Sequence, residues 1–299
     1  MGKDPFVGIE NLIKLNYMST ATITAADINK LRQTTGAGMM DCRKALVESD
    51  GDFEKAIDYL RKKGQKVAAL RSDREAKEGV IIATTTADNK TGFIVTVACE
   101  TDFVAKNSDF VAFAQSIIDL AVKNNVKTLE ELLAAQLDGA TVSDKINDQV
   151  ARIGEKIQLA RFERVDADGV AAYIHGAYRM GVLVGLSKNT PAVLEAGKDI
   201  AMQIAAMNPV AVDPDSVPAD VVAREKAIVT EQIKNDPKMA GKTDEMIDKI
   251  AVGKLNAFFK ENTLTAQAFV KDASKTVGDY LKGVDGSAKV TQFKRVQLG

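Results

Sequence analysis

Apolar positions along the chain follow two different spacings. From Thr24 to Gly64 they recur as on helices: Ile28 and Leu31, then Leu46, then Ile57 and Leu60. Thr24 has the character of an N-cap, and Thr35-Gly36-Ala37-Gly38 breaks the first helix. A second helix starts at Met39. Asp50-Gly51 turns the chain, and Asp52 caps a third helix, Phe53 to Lys62, which ends at Gly64. Residues 22–64 are therefore predicted as a small helical domain, and 65–78, alanine-rich and charged, as a linker with some helical character.

Beyond the linker the spacing changes to that of strands. Gly79–Thr86 and Phe93–Cys99 form a hairpin around a turn at Asp88-Asn89, and after the loop Thr101–Asn107 a helix runs from Phe110 to Val122. The unit then recurs. Gly169–Ile174 and Met180–Leu186 flank a turn at His175–Arg179, and a helix follows over Val193–Met207. Ile157–Val165 and Val290–Val296 close the two units with a shared Gln…Phe-x-Arg-Val pattern of variable spacing. An α+β fold is predicted: an N-terminal three-helix module, then two duplicated subdomains over residues 79–166 and 167–299. Each is a small antiparallel sheet backed by helices. The second carries an insertion at 218–262. There, stripes of Val222, Val229 and Ile233, and of Ile247, Ile250, Leu255 and Phe258, predict an antiparallel, coiled-coil-like helical hairpin. Pro218 starts it and Asp244 caps its return helix.

Composition narrows the chemistry. The chain has 299 residues, with 40 basic against 41 acidic side chains, so no chain-wide field attracts nucleic acid or an anionic membrane. No stretch approaches a membrane span. Residues 1–17 lack the apolar core of a signal peptide and read as an added leader outside the fold. One histidine, His175, rules out histidine-rich zinc sites within one chain, and Cys42 and Cys99 are too far apart for a redox pair. The cysteines read as reduced thiols of a cytoplasmic protein, with a disulfide as the alternative. Gly241-Lys242-Thr243 resembles the end of a phosphate loop, but Asp236 stands where its first glycine belongs. No metal or cofactor site and no enzyme motif emerges, although an enzyme using His175 stays open.

Two segments call for partners instead. Thr101-Asp102-Phe103-Val104 puts a carboxylate beside a large ring at a strand end. The ring either packs on the next helix or enters another molecule. Met39 and Met40, adjacent at a helix start, either both fill a small core or offer an adaptable contact.

Thr35 to Leu46, with Thr101-Asp102-Phe103-Val104-Ala105-Lys106-Asn107, resembles the signatures of bacterial elongation factor Ts. His175-Gly176 with Arg179 and Gly181-Val182-Leu183-Val184 resembles a third family motif, and Ser274-Lys275-Thr276-Val277-Gly278 a fourth. The resemblance spans Thr22 to Leu298. It implies a guanine nucleotide exchange factor that binds elongation factor Tu, GDP-bound and nucleotide-free, with no cofactor of its own. It further implies a ubiquitin-associated-type first module contacting the partner's GTPase domain through Met39, Met40 and Arg43. Phe103 would wedge near the partner's Mg²⁺ site with Asp102 beside it, in the turn Thr101–Val104. Ile153 and Gly154 would lie near the partner's phosphate loop, His175 near another of its domains, and Val270 would be a further contact. The turn Ala177-Tyr178-Arg179-Met180 is longer and less glycine-rich than the family's, and Ala268 replaces a common proline. Some members continue into a further C-terminal helix, whose contacts have no counterpart residues before Gly299. A ubiquitin-binding adaptor and an RNA-binding protein remain the rival classes, no direct nucleic-acid contact is expected, and a homodimer stays open.

Overall fold

The computed structural model describes residues 23–236 and 243–299. The leader at 1–17 and the phosphate-loop look-alike at 241–242 lie outside the described residues. The chain divides into two compact units: residues up to Glu75 with Asp138–Ile157, and Ala76–Leu137 with Gln158–Gly299.

The first unit is helical. Its chain runs through α1 (Ala25–Thr35), α2 (Met39–Glu48) and α3 (Phe53–Leu70), and later through strand β4 (Ala140–Thr141) and α7 (Val142–Ile153). Thr24 and Asp27 cap α1 reciprocally, and Gly36 ends it in the left-handed region, at φ 68°. Leu31, Cys42, Ala45, Leu46, Ala56 and Leu60 close the core. Gly64 does not end α3 but lies inside it. A Cβ there would sit 2.9 Å from the Asn147 carbonyl oxygen and 3.1 Å from the Ala151 Cβ, so this glycine lets α7 approach. Residues 138–157 join the N-terminal helices for this reason, although in sequence they follow the first hairpin. The stretch after Gly64, expected as linker, is three more residue pairs' worth of helix, ending at Leu70.

The second unit holds β1 (Glu78–Thr85), β2 (Thr91–Cys99), α4 (Asp102–Ala105), α5 (Ser108–Lys123), α6 (Leu129–Ala134), β3 (Gln136–Leu137) and β5 (Gln158–Asp166). It continues with β6 (Gly169–His175), β7 (Met180–Leu186), α8 (Pro191–Met207), α9 (Ala219–Asn235), α10 (Asp244–Asn262), β8 (Ala268–Phe269), β9 (Asp272–Thr276), α11 (Val277–Val284) and β10 (Val290–Gln297). Two antiparallel three-stranded sheets form, in the orders β1-β2-β5 and β10-β7-β6. Each is a hairpin whose second strand takes the returning strand as its other neighbour.

The sheets share a core. Ile81, Ile94, Val165, Val170, Leu183, Val296 and Leu298 form one buried cluster between them. Helix α5 lies on β1 and β2, and α8 on β6 and β7. The central strands are covered on both faces, so β2 and β7 are buried almost end to end instead of alternating. Glycines permit the close approach. A Cβ on Gly92 would lie 2.7 Å from Val170 Cγ1, and one on Gly181 2.7 Å from Ile81 Cγ2. In the hairpin, Val229 and Ile233 of α9 meet Ile247 and Ala251 of α10. The cap of α10 is Thr243 rather than Asp244, its side chain accepting from the Met246 amide.

Two substitutions separate these glycines by role. Gly181→Val should destabilise the protein by about 1–3 kcal/mol through overpacking. Gly253→Ala, in the open on α10, should stabilise it by about 0.5–1 kcal/mol. Urea unfolding curves of both variants check the opposite signs.

Candidate functional site

The Thr101–Asn107 segment is a built turn. Cys99 ends β2, and its thiol donates to the Thr101 carbonyl at 3.2 Å. The Thr101 hydroxyl accepts from the Val104 amide and caps the single turn of α4. Asn107 then caps α5, accepting from the Asp109 amide at 2.8 Å. Fixed at both ends, α4 rests on β1 and β2. Phe103 points away from them and is 83% exposed, so it does not pack on α5. Burying such a ring is worth roughly 1.5–3 kcal/mol, which the isolated chain leaves unclaimed. Thr101, Asp102 and Val104 are half-buried around it.

Beside the ring, Asp102 accepts from Lys106 Nζ at 2.6 Å. That hydrogen bond is the main reason its carboxyl is held below the usual carboxylate range.

The β6–β7 turn comes to the same end of the paired sheets. The Ile81 amide of β1 donates to the Tyr178 carbonyl at 2.8 Å. Gly176, Ala177 and Tyr178 all take positive φ, at 64°, 52° and 70°. Only the first is glycine, so the turn is strained where this chain departs from the glycine-rich family pattern. His175 is exposed, with Nδ1 2.9 Å from the Tyr173 hydroxyl. Arg179 Nη1 donates to Glu78 Oε2 at 2.7 Å.

Val270 is also exposed, at the β8–β9 turn. Its amide donates to the Oε1 of buried Gln203 at 2.8 Å, and Gln203 Nε2 donates to the Ala268 carbonyl at 3.1 Å. Phe269 stacks on Tyr280 with ring centroids 4.2 Å apart, and the Tyr280 hydroxyl donates to Asp199 at 2.7 Å. Asp199 also takes Lys271 Nζ at 2.6 Å. Burial raises its carboxyl, but the two donors prevail and leave it below the usual range.

In the helical unit, Cys42, Ala45 and Leu46 take the core face of α2. Met39, Met40 and Arg43 are all exposed, Met40 to 72%. The Arg152 side chain of α7 reaches the end of α1, since a Cβ on Gly36 would lie 3.1 Å from Arg152 Cδ. Ile153 is half-buried, and Gly154 caps α7 at φ 79° with its amide donating to the Val150 carbonyl. The structure thus brings the Arg152 side chain of α7 to Gly36, in the loop before Met39, within one unit, and Arg179 of the His175 turn to Glu78, opposite the strand end that leads into the Asp102 turn, within the other. Sequence reasoning gave no role to Glu78 or Gln203, whose partners lie far along the chain.

Cys42 and Cys99 are both buried and form no disulfide with each other. Among the described residues no three or more His, Cys, Asp or Glu side chains cluster to hold a metal ion, and no described helix is long and apolar enough to cross a membrane.

A family profile described as Elongation factor TS matches residues 100–299, starting one residue before the Thr101 turn. The chain is 49% identical over 279 residues to an elongation factor Ts of Christiangramia forsetii, covering 93% of this chain and all of that one. The chain belongs to the elongation factor Ts family. An elongation factor Ts of Flavobacterium psychrophilum is likewise 49% identical over 93% of this chain and all of its own length. One of Chlorobaculum parvum is 42% identical, over 93% of this chain and 99% of its own. In this elongation factor Ts homologue Phe103, β5 and the whole second sheet fall inside the profile match, whereas β1 and β2 precede it.

Tyr280 offers a pH test of the Val270 support. Burial, then its hydrogen bond to Asp199, pushes its hydroxyl up to about 12 from an ordinary 10. A raised pKa means that the folded state holds the proton longer. Its contribution to stability is therefore complete below pH 10 and falls away between pH 10 and about 12. Ultraviolet titration of Tyr280→Phe should lack the late-ionising tyrosine, and its unfolding midpoint should fall less across that window than the parent's.

Proposed function

We propose that this chain is a guanine nucleotide exchange factor that binds elongation factor Tu and promotes GDP release by disturbing the Mg²⁺ and phosphate site. The observation that carries the proposal is Phe103, 83% exposed on a turn capped at both ends, with an ionised Asp102 beside it. Family membership supports it.

The chemistry asked of the factor is modest. Binding the nucleotide-free partner better than the loaded one is sufficient, because nucleotide and factor then weaken each other by the same factor. Each 1.4 kcal/mol of such preference is about tenfold in affinity. A ring held ready to enter an apolar gap supplies burial only in the complex. The neighbouring carboxylate disfavours phosphate and competes for the groups around the metal. No bond is made or broken on the factor, so it is not an enzyme in the usual sense.

Other contacts extend the surface. The N-terminal helices, a ubiquitin-associated-type module in this reading, dock on the GTPase domain through Met39, Met40 and Arg43. Ile153 and Gly154 lie toward the phosphate loop, and His175 and Val270 meet the rest of the partner. The factor works in the cytoplasm, where translation takes place, and makes no direct contact with nucleic acid.

Release of fluorescent GDP from elongation factor Tu, with and without the chain, tests the proposal. Phe103→Ala should lower the stimulated rate at least about tenfold, as for a central anchor residue. Its unfolding midpoint should stay within about 0.5 kcal/mol of the parent, as expected for an exposed position. An unchanged release rate in this variant refutes the wedge.

A further inference from the structure

Building on the exchange reading, we propose that Arg179 is a positioning residue: its ion pair with Glu78 locks the β6–β7 turn to the root of the Asp102–Phe103 turn and so aims the phenylalanine ring. Arg179 belongs to the third motif, yet nothing in the proposed contacts uses it.

The geometry is a chain of fixed links. Arg179 Nη1 lies 2.7 Å from Glu78 Oε2. Glu78 opens β1 directly opposite Cys99, the last residue of β2. The Cys99 thiol donates to the Thr101 carbonyl, and Thr101 caps the turn that carries Phe103. From the guanidinium to the capping residue there is one ion pair, one cross-strand pair and one hydrogen bond. The Arg179 backbone is itself held, its carbonyl accepting from the Leu298 amide at 3.1 Å, while the adjacent Tyr178 carbonyl accepts from Ile81. The side chain therefore starts from a backbone tied to both sheets. The guanidinium also feels the Asp102 carboxylate, after the stronger influence of Glu78.

Burial says what kind of role this is. The Arg179 and Glu78 side chains are 54% and 29% exposed. Pairs that open to solvent add little to stability, so their loss should leave folding nearly intact. What the pair can fix is direction, and direction matters for a group that must enter a gap in another protein.

The test uses the full chain in two assays. In GDP release from elongation factor Tu, Arg179→Met and Glu78→Gln should each lower the stimulated rate at least about threefold, and the double variant should be no worse than either single one. Unfolding midpoints should not move. The second assay needs no partner. The chain has no tryptophan, so Phe103→Trp makes a single fluorescent reporter. Adding Arg179→Met to it should lower its fluorescence anisotropy in the free protein. Full activity of Glu78→Gln with an impaired Arg179→Met would assign Arg179 to direct partner contact and overturn the inference, as would additive losses or an unchanged anisotropy. A parent chain that fails to speed GDP release would overturn the exchange reading alone, because the anisotropy assay still decides the positioning role.

Discussion

Two small sheets share one core in this protein, and at Gly92 and Gly181 the lack of a Cβ leaves room for side chains of the facing sheet. A three-stranded sheet with a helix on one face still has an apolar second face to cover. Here each sheet covers the other through Ile81, Ile94, Val165, Val170, Leu183 and Val296. The arrangement makes β2 and β7 the most protected strands of the unit. It also fixes where their ends emerge. The turn after β2 and the turn before β7 leave the paired sheets at the same end, and the Ile81 to Tyr178 hydrogen bond ties the second of these turns to β1.

That placement allows an exposed apolar ring to be precise. Phe103 has no burial of its own to hold it. Its direction comes from the caps at Thr101 and Asn107 and from the strands beneath α4. A probe of this kind needs a rigid base more than a strong local fold. Exchange, as proposed, draws on burial realised only in the complex, and a ring hidden in the free protein would put that burial into folding instead. The same division holds on α2, where one face of a single helix builds the core and the other leaves two methionines in solvent. Methionine, flexible and polarisable, suits the adaptable contact proposed there.

The β8–β9 turn solves the same problem with polar groups. Gln203 is fully buried, yet both ends of its amide are satisfied by the backbone of the turn that carries Val270. An unsatisfied amide at such depth would cost more than it contributes, so the network holds the turn to one geometry.

Periodicity in the sequence was enough to locate the three N-terminal helices, the paired hairpins with the helix after each, the helical hairpin and the returning strands, but not α6, α7 or α11. The oddity of Asp102-Phe103 was visible too, since an aromatic ring in a capped polar turn conflicts with its surroundings. Helix α3 was misjudged at Gly64, because a glycine that ends a helix and one that admits a neighbour look alike until the neighbour, α7, is known. The unbroken burial of β2 and β7 could not be foreseen either, as it needs a second sheet to cover the far face. Whether Phe103 faced α5 or solvent, and that Arg179 meets Glu78 across 101 positions of chain, were decided only by the tertiary structure. Local sequence carries the preferences of a segment for its own geometry. Contacts between distant segments depend on how whole layers pack, and no neighbouring residue records them.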